Sequence, residues 1–497
     1  MTTEPSALAA RASTGIPGLD HVLDGGLPTN RVYLIQGDPG SGKTTLGLQF
    51  LLEGIQRHEK VLYVTLSETP TELIAVAASH GWEVDRMPIY ELSAADKNGL
   101  RPDDQYTFFH PSEVELGETT KAMMEEVERV NPARVVLDSL SEMRLLAREP
   151  LRYRRQILGL KQFFVDRNCT VLLLDDRTSN DGDLQLQSLA HGVICLEQLA
   201  PEYGAERRRL RVIKLRGIRF QGGFHDCLIA TGGLRVFPRL VAAESRNEAT
   251  HKTASTGLPE LDQLTGGGLD RGTSTLFMGP AGAGKSAIAT QIAVTAAARG
   301  ERVTMYLFDE GVDTFRRRAA GLGSNVEPYI ESGHLTLVQV DPAELSPGEF
   351  ADRIRSAVDR DRVSMVVIDS LNGYLNSMPE ERFLLAQLHE LFMFLRQKGV
   401  LAISVVAQHG LVGSMQTPID LSYLADNVIL LRFFEAEGRV RQAISVLKKR
   451  SGMHERTIRE LRLEPGRVSV GEPLTQFHGV LTGVPTYTGT PTSPSQR

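Results

Sequence analysis

The sequence has few cysteines, a single tryptophan and no long apolar run. Its three cysteines, Cys169, Cys195 and Cys227, lie far apart among 497 residues and form no C-x-x-C pair. This spacing excludes a disulfide framework and a cysteine-ligated metal site, and it favours a reducing compartment. No segment approaches the roughly 18 apolar residues of a membrane span, and the start, MTTEPSALAARAS, lacks the apolar segment of a signal peptide. We therefore expect a cytoplasmic protein with no membrane partner.

Positive charge is not in excess either, since the formal net charge is −6. A chain without a basic field is not typical of nucleic-acid-binding proteins, so we expect no nucleic-acid partner. The twelve histidines form no H-E-x-x-H motif, which excludes that zinc-protease signature.

A glycine-rich loop is the most informative segment of the sequence. Residues 37–44 read GDPGSGKT and fit G-x-x-x-x-G-K-[ST], with an apolar strand (32–36) before them and an apolar-periodic helix (45–52) after them. The glycines let successive N–H groups point at phosphate oxygens, and the helix N-terminus adds the positive end of its dipole. In this motif Lys43 reaches the β- and γ-phosphates and the Thr44 hydroxyl contacts Mg²⁺. A glycine-rich turn with a chance lysine is the alternative.

The same arrangement occurs twice. GPAGAGKS (279–286) lies 242 residues after GDPGSGKT, and STGLPELD (255–262) lies 242 residues after STGIPGLD (13–20). The constant offset indicates an internal duplication of a nucleotide-binding domain and argues against a chance match. The residues that the motif places against the nucleotide are Gly37, Asp38, Pro39, Gly40, Ser41, Gly42, Lys43, Thr44 and Thr45 in the first copy and Gly279, Pro280, Ala281, Gly282, Ala283, Gly284, Lys285, Ser286 and Ala287 in the second.

Strands separated by helices follow each loop, and short runs at hairpin spacing end each copy. This order predicts an α/β fold of two tandem P-loop NTPase domains, each with a mostly parallel sheet, an antiparallel extension and helices on both faces. Segments 15–28 and 102–109 read as loops. The predicted boundaries are a polar leader (1–12), a first domain (13–240), a linker (241–254), a second domain (255–474) and a C-terminal tail (475–497) with a disordered end.

Two aspartates follow apolar strands in corresponding places. Asp138 ends VVLD, Asp369 ends VVID, and Ser-Leu follows both. An acid at the carboxyl end of a parallel strand can hold Mg²⁺ beside a phosphate loop, together with Thr44 or Ser286. A plain strand end is the alternative, and the repetition favours the metal site.

Hydrolysis also needs a carboxylate that orients or deprotonates the attacking water. Glu68 ends the strand that follows the first loop helix, and the pair Asp309 and Glu310 ends its second copy. We predict these acids, with Lys43 and Lys285, as catalytic residues. Solvent-exposed strand ends are the alternative.

Paired cations occur late in each copy. Lys214 and Arg216 recur as Lys448 and Arg450, and residues i and i+2 of a strand share a face. In ring ATPases such cations reach the γ-phosphate bound by the neighbouring subunit, which makes these four residues candidate trans-acting groups. A solvated basic edge is the alternative. The runs 207–209 and 316–318, each of three arginines, are expected to be solvent-exposed faces.

These motifs together resemble the KaiC family of circadian-clock ATPases, which are themselves RecA-like. STGIPGLDHVLDGGLP before GDPGSGKTT, an acid after the strand, and KLRG late in the domain carry the resemblance, which covers nearly the whole chain. The resemblance implies a double-ringed hexamer with ATP and Mg²⁺ between subunits, slow hydrolysis, and serine autophosphorylation in the second domain. KaiB-like or histidine-kinase signalling proteins are the implied partners.

Two departures from the family pattern bear on activity. The family carries Glu-Glu after the second strand, whereas this sequence has Ser67-Glu68 and Asp309-Glu310, so we predict that the second domain carries most of the turnover. By alignment on LADNVILL, the family's adjacent Ser-Thr phosphorylation pair falls on Ser422 and Tyr423, which leaves Ser422 as the candidate acceptor.

Two other functions remain open on the sequence alone. A RecA/RadA-like DNA-dependent ATPase would use the same core but needs basic, aromatic-bearing DNA loops. A non-hydrolysing, nucleotide-gated scaffold is compatible with the altered base positions. We favour an ATP-driven signalling hexamer over both.

Overall fold

The structure is a computed structural model, and it describes residues 10–92, 111–147, 149–177, 182–201, 204–242, 252–376, 383–408, 421–481 and 486–488. The predicted loop at 102–109 and the last residues of the tail lie outside the described residues. The chain divides into two compact units, Met1–Arg239 and Leu240–Arg497.

The first unit alternates strands and helices as the sequence predicts. Its strands are β1 (Arg11–Ala12), β2 (Leu27–Pro28), β3 (Val32–Gly37), β4 (Val61–Thr65), β5 (Ile89–Glu91), β6 (Arg134–Asp138), β7 (Thr170–Asp176), β8 (Gly192–Leu199), β9 (Arg207–Leu215), β10 (His225–Ala230) and β11 (Gly233–Phe237). Its helices are α1 (Pro17–Val22), α2 (Lys43–Gln56), α3 (Pro70–Ser79), α4 (Pro111–Val130), α5 (Leu140–Ala147), α6 (Pro150–Asp166) and α7 (Gly182–Leu189).

The second unit repeats this order. Its strands are β12 (Thr253–Ala254), β13 (Leu269–Asp270), β14 (Ser274–Gly279), β15 (Val303–Leu307), β16 (Leu335–Gln339), β17 (Met365–Asp369), β18 (Leu401–Ala407), β19 (Asn427–Ala436), β20 (Arg439–Lys449), β21 (Arg459–Glu464), β22 (Arg467–Pro473), β23 (Phe477–His478) and β24 (Thr486–Tyr487). Its helices are α8 (Pro259–Leu264), α9 (Lys285–Ala298), α10 (Val312–Gly321), α11 (Glu327–Glu331), α12 (Pro347–Asp359), α13 (Leu371–Asn376) and α14 (Leu384–Gln397).

Within the described ranges, each unit contains one nine-stranded sheet. The strand order is β11-β10-β9-β8-β3-β7-β6-β4-β5 in the first unit and β16-β15-β17-β18-β14-β19-β20-β21-β22 in the second. The strands from β8 to β5, and from β16 to β19, run parallel, and the remaining strands form the antiparallel extension. The predicted RecA-like α/β fold is confirmed, and the phosphate-loop strand lies near the centre of each sheet.

Apolar strands of this kind form because both faces of the sheet are covered. In β6, for example, Val136 packs with α1, α2 and α3, whereas its neighbours Val135 and Leu137 pack with α4, α5, α6 and α7. The three cysteines are buried and unpaired. None of the described helices is long and apolar enough to cross a membrane.

The repeated S-T-G-x-P-x-L-D motif has a structural role. In the first copy Asp20 accepts hydrogen bonds from Ser13 Oγ (2.7 Å) and from the Thr14 backbone N–H (2.8 Å). Asp262 accepts the same bonds from Ser255 (2.6 Å) and Thr256 (2.8 Å) in the second copy. These bonds join the segment before α1 to a residue within it. The prediction of a loop over 15–28 was wrong in part, because Pro17–Val22 forms the short helix α1.

Candidate nucleotide sites

The first phosphate loop joins β3 to α2, with Lys43 as the first helical residue. Gly42 precedes it with φ 102°, and a Cβ there would lie 2.8 Å from Ile229 of β10, so this position requires glycine. Lys43 is buried, and its ammonium donates to the carbonyl oxygens of Gly37 and Asp38, both at 2.9 Å. The loop is thus closed around its own lysine at the carboxyl end of β3.

The second phosphate loop has the same geometry. Gly284 precedes Lys285 with φ 101°, and a Cβ there would lie 2.9 Å from Leu461 of β21. Lys285 donates to the carbonyl oxygens of Gly279 (2.9 Å) and Pro280 (2.6 Å). Burial lowers the pKa of Lys285 to about 8, although the nearby charges of Asp369 and Asp309 act in the opposite direction.

The predicted metal-holding residues meet in the first unit. Thr44 Oγ1 donates to Asp138 Oδ2 at 3.0 Å, and the Tyr63 hydroxyl donates to the same oxygen at 2.6 Å. Burial raises the pKa of Asp138, while the hydrogen bonds from Tyr63 and Thr44 oppose that increase. Sequence reasoning missed Tyr63, whose phenol reaches the carboxylate from the neighbouring strand β4.

The equivalent carboxylate of the second unit has one oxygen without a hydrogen-bond partner. Met305 occupies the position of Tyr63, and Asp369 Oδ2 is buried without a hydrogen-bond partner. Burial raises the pKa of Asp369, against a hydrogen bond from Ser286 and the charge of Arg318. No group of three or more His, Cys, Asp or Glu side chains suited to a metal occurs among the described residues. One carboxylate and one hydroxyl fit Mg²⁺, which takes its other ligands from phosphate and water.

Glu68 lies close enough to Asp138, the predicted metal-holding residue, for the two charges to interact. Its main chain is fixed by Thr65, whose hydroxyl donates to Glu68 O (2.7 Å) and accepts from Glu68 N (3.0 Å). Glu68 Oε2 is buried without a hydrogen-bond partner. Burial raises the pKa of Glu68, and the charges of Asp138 and Glu72 add to that effect. A carboxylate of this kind can accept a proton from water.

The two adjacent acids of the second unit, Asp309 and Glu310, have different hydrogen-bond partners. Asp309 accepts a hydrogen bond from Ser370 Oγ, whereas Glu310 is paired with Arg318, whose Nε lies 3.2 Å from Glu310 Oε2. All four residues line a cavity of about 380 Å³ that also contains the phosphate loop. The prediction that 316–318 is a solvent-exposed face was wrong for Arg318.

The paired cations lie at the other end of each sheet. The register pairs Lys214 with Val193 near the start of β8, and Lys448 with Val428 near the start of β19, whereas the phosphate loops follow the carboxyl ends of the parallel strands. Arg216 donates to Ser188 O (3.0 Å). The structure therefore does not bring these cations to the phosphate loop of their own unit.

The candidate phosphate acceptor lies at the same end of the second sheet. Ser422 precedes β19, and its carbonyl oxygen accepts from the Lys448 ammonium at 2.8 Å. Arg450 donates to the carbonyl oxygen of Tyr423 at 2.9 Å, and the Tyr423 side chain is 51% exposed. Ser422 and the two cations thus form one cluster, which the sequence separates by some twenty-six residues.

Two further contacts of the first loop escaped sequence reasoning. Asp176, the last residue of β7, lies 2.8 Å from the Lys43 ammonium. Arg208 donates to the carbonyl oxygen of Gly40 at 3.1 Å, so the expectation that 207–209 is a solvent-exposed face was wrong for this residue. The signal for Asp176 was its place after an apolar strand, at the edge where acids line a nucleotide site.

A phosphate loop at the centre of a mostly parallel sheet, with acids at the ends of the adjacent strands, defines a RecA-like P-loop ATPase. The family model for the KaiC ATPase matches residues 12–241 and 254–475. The chain therefore belongs to the KaiC ATPase family and is a KaiC-like ATP-binding protein.

The chain is similar to named relatives along nearly its whole length. It is 27% identical to the circadian clock protein KaiC3 of Synechocystis sp. over 489 residues, covering 96% of this chain and 95% of that protein. It is 24% identical to the circadian clock oscillator protein KaiC of Parathermosynechococcus lividus, covering 96% and 88%. It is 25% identical to the KaiC of Synechococcus elongatus, covering 96% and 92%.

Proposed function

We propose that this protein is a Mg²⁺-dependent ATPase that binds ATP in both units, and that the second unit carries most of the hydrolysis. The observation that carries the proposal is the cavity of about 380 Å³, in which Lys285, Ser286, Asp309 and Asp369 meet. Lys285 would bind the β- and γ-phosphates, and Ser286 and Asp369 would hold Mg²⁺, which supplies charge neutralisation when bound. Asp309, oriented by Ser370, would accept a proton from the attacking water.

The first unit has equivalent phosphate-binding, metal-holding and base residues, but its lysine has an additional acidic partner. Lys43, Thr44 and Asp138 would bind phosphate and Mg²⁺, and Glu68 is the available base. However, Asp176 lies on the Lys43 ammonium and competes with phosphate for it. This competition supports assigning the larger share of turnover to the second unit.

Phosphate release by the full-length protein tests this assignment. We expect Lys285→Ala to remove most of the ATP hydrolysis and Lys43→Ala to remove less. Exposed Lys121, which has no place in either site, offers a matched Lys→Ala control. A greater loss in Lys43→Ala than in Lys285→Ala would assign the main turnover to the first unit.

We also infer that ATP joins subunits into a hexameric ring. The cation clusters and the phosphate loops lie at opposite ends of each sheet, so the cations do not reach the nucleotide of their own unit and are available to one bound by another subunit. Such head-to-tail contacts close into rings when the rotation permits. The names of the relatives support a signalling role, for which KaiB-like or histidine-kinase proteins stay the predicted partners. Serine autophosphorylation at Ser422 is part of this proposal.

A further inference from the structure

The two units differ at one position that faces the acidic pair. Arg318 lies 242 residues after Val76, as Glu310 lies 242 residues after Glu68. Val76 is part of the apolar packing of the first unit, so Glu68 has no cationic partner from this position. The second unit instead places a guanidinium beside its acids, inside the cavity that contains the phosphate loop.

Arg318 is held in place on two sides. Its Nε and Nη2 atoms both donate to the Glu310 carboxylate. Its guanidinium carbon lies 5.2 Å from the centre of the Phe315 ring, one turn earlier on α10, and Phe315 is fully buried. A planar guanidinium fixed by a carboxylate fork and an aromatic face has little freedom left to lose on binding a ligand.

The third guanidinium nitrogen of Arg318 makes no hydrogen bond. Nη1 is buried and has no hydrogen-bond partner. A buried N–H donor without a partner is costly, and a cationic one is satisfied best by an anion. Arg318 lines the same cavity as Lys285, Ser286 and Asp369, the residues predicted to hold phosphate and metal.

We propose that Arg318 is a catalytic residue of the second unit that binds the terminal phosphoryl group of the nucleoside triphosphate from within the same subunit. The inference rests on the proposed function, because it requires that the cavity bind ATP. In hydrolysis the water oxygen bonds to the γ-phosphorus, the bond from the γ-phosphorus to the β,γ-bridging oxygen breaks, and Asp309 takes the water proton. The Arg318 guanidinium stabilises the charge on a γ-phosphoryl oxygen during that step, and ADP, which has no γ-phosphoryl group, does not make this contact.

The experiment compares a triphosphate with a diphosphate. Full-length protein in a Lys43→Ala background leaves the second site as the one measured, and ATPγS and ADP serve as the probes. Arg318→Val, which installs the residue of the first unit, should weaken ATPγS binding by about tenfold to a hundredfold and leave ADP binding within about twofold. Arg317→Val is the matched control, since Arg317 is exposed and does not line the cavity.

Two further variants separate direct contact from indirect effects. Loss of Arg318 could act by freeing the charge of Glu310, so the double variant Glu310→Gln with Arg318→Val should keep the ATPγS defect. Recovery of ATPγS binding in that double variant would overturn the proposal. Arg318→Lys keeps the charge but not the fork, and it should lose at least about threefold for ATPγS.

The other possible results of the binding experiment are also decisive. Equal losses for ATPγS and ADP in Arg318→Val, or no loss for either, would overturn the proposal. Should Arg318→Val fail to fold in a thermal melt, Arg318→Lys decides, and unchanged ATPγS binding there would overturn it. Absence of any nucleotide binding in the Lys43→Ala parent would instead contradict the proposed function.

Discussion

Asp176 and Lys43 form an ion pair of 2.8 Å in the first phosphate loop. The strand register places Ala407 at the equivalent position of the second unit, where Lys285 has no such partner among the described residues. Ser141 donates to the other Asp176 oxygen at 3.0 Å. Burial acts to raise the pKa of Asp176, but the hydrogen bond and charge of Lys43, with Ser141 and Arg144, outweigh it and lower that pKa. The first lysine therefore has a directly paired carboxylate, and within the described part of the second unit Lys285 has none.

Removing that counter-ion should strengthen nucleotide binding by the first unit. We expect Asp176→Ala, in a Lys285→Ala background, to raise the affinity for ATP, because Lys43 then has no carboxylate that competes with phosphate. The expected gain is only about threefold to tenfold, since water screens the partly exposed Asp176. Ala407→Asp in a Lys43→Ala background should weaken binding by the second unit to a similar extent. Titration with fluorescent ATP measures both, and equal affinities before and after each exchange would show that the pair does not compete with phosphate.

Binding of ATP by the second unit should weaken at alkaline pH. The pKa of Lys285 in the empty site is about 8, so the ammonium loses its proton above that pH, whereas a bound triphosphate favours the charged form. Above pH 8, binding of ATP must therefore take up a proton, and the affinity for ATP falls by up to about tenfold per pH unit. Calorimetry of the Lys43→Ala protein from pH 7 to 9.5, in buffers of different ionisation enthalpy, measures both quantities. A flat affinity with no proton uptake would contradict this prediction.

The carboxylate of Asp309 should matter more for turnover than that of Glu68. Asp309→Asn keeps the hydrogen bond to Ser370 but removes the base, and hydrolysis should fall by about 10²–10⁴. Glu68→Gln should leave most of the turnover in place. Single-turnover phosphate release separates the chemical step from binding. If Glu68→Gln has the greater effect, the main hydrolytic site lies in the first unit.

Assembly should depend on bound nucleotide. The double variant Lys43→Ala with Lys285→Ala should remain mostly monomeric in light scattering with Mg-ATP, because the cations of one subunit then have no phosphate to bind on the next. The Lys121→Ala protein should assemble like the parent. A persistent hexamer in the double variant would show that protein contacts alone hold the ring.

Autophosphorylation should occur on Ser422 and leave Tyr423 unmodified. The two hydroxyls differ in their distance from the main chain by several ångströms, about 2.4 Å against 6.5 Å from Cα, so one site cannot align both for in-line attack. Incubation with Mg-ATP followed by peptide mass spectrometry identifies the acceptor, and Ser422→Ala serves as the control. Phosphate on Tyr423 alone, or on neither residue after long incubation, would remove the kinase activity from the proposal.

Local sequence was enough to predict the fold and to select the candidate residues at the centre of each proposed site. The two glycine loops, the apolar strands before Asp138 and Asp369, and the constant offset of 242 residues are all readable along the chain. These features depend on short-range rules of backbone geometry and on burial patterns. They predicted the confirmed RecA-like sheet with bounds within a few residues for the strands around the loops.

The residues that sequence reasoning missed reach the sites through tertiary contacts. Tyr63 contacts Asp138 because β4 and β6 are neighbours in the sheet, although they are far apart in sequence. In the sequence, Arg318 is one of three consecutive arginines and is predicted to lie on an exposed helical face. In the structure, contacts with Glu310 and Phe315 fix the direction of its side chain. No periodicity or motif encodes such cross-element pairs, so a single sequence cannot distinguish them from exposed charges.

If the proposed ring forms, the position of the cations would also determine how mixed assemblies behave. In a head-to-tail ring, each subunit contributes a phosphate loop to one neighbour and a cation cluster to the other. A subunit lacking Lys448 and Arg450 keeps its own nucleotide but deprives the next subunit's site of its trans-acting groups. Defective chains would therefore act dominantly, because one such chain impairs a site formed by an intact neighbour. The loss of activity in mixed rings would appear in the site next to the altered chain rather than in the altered chain itself.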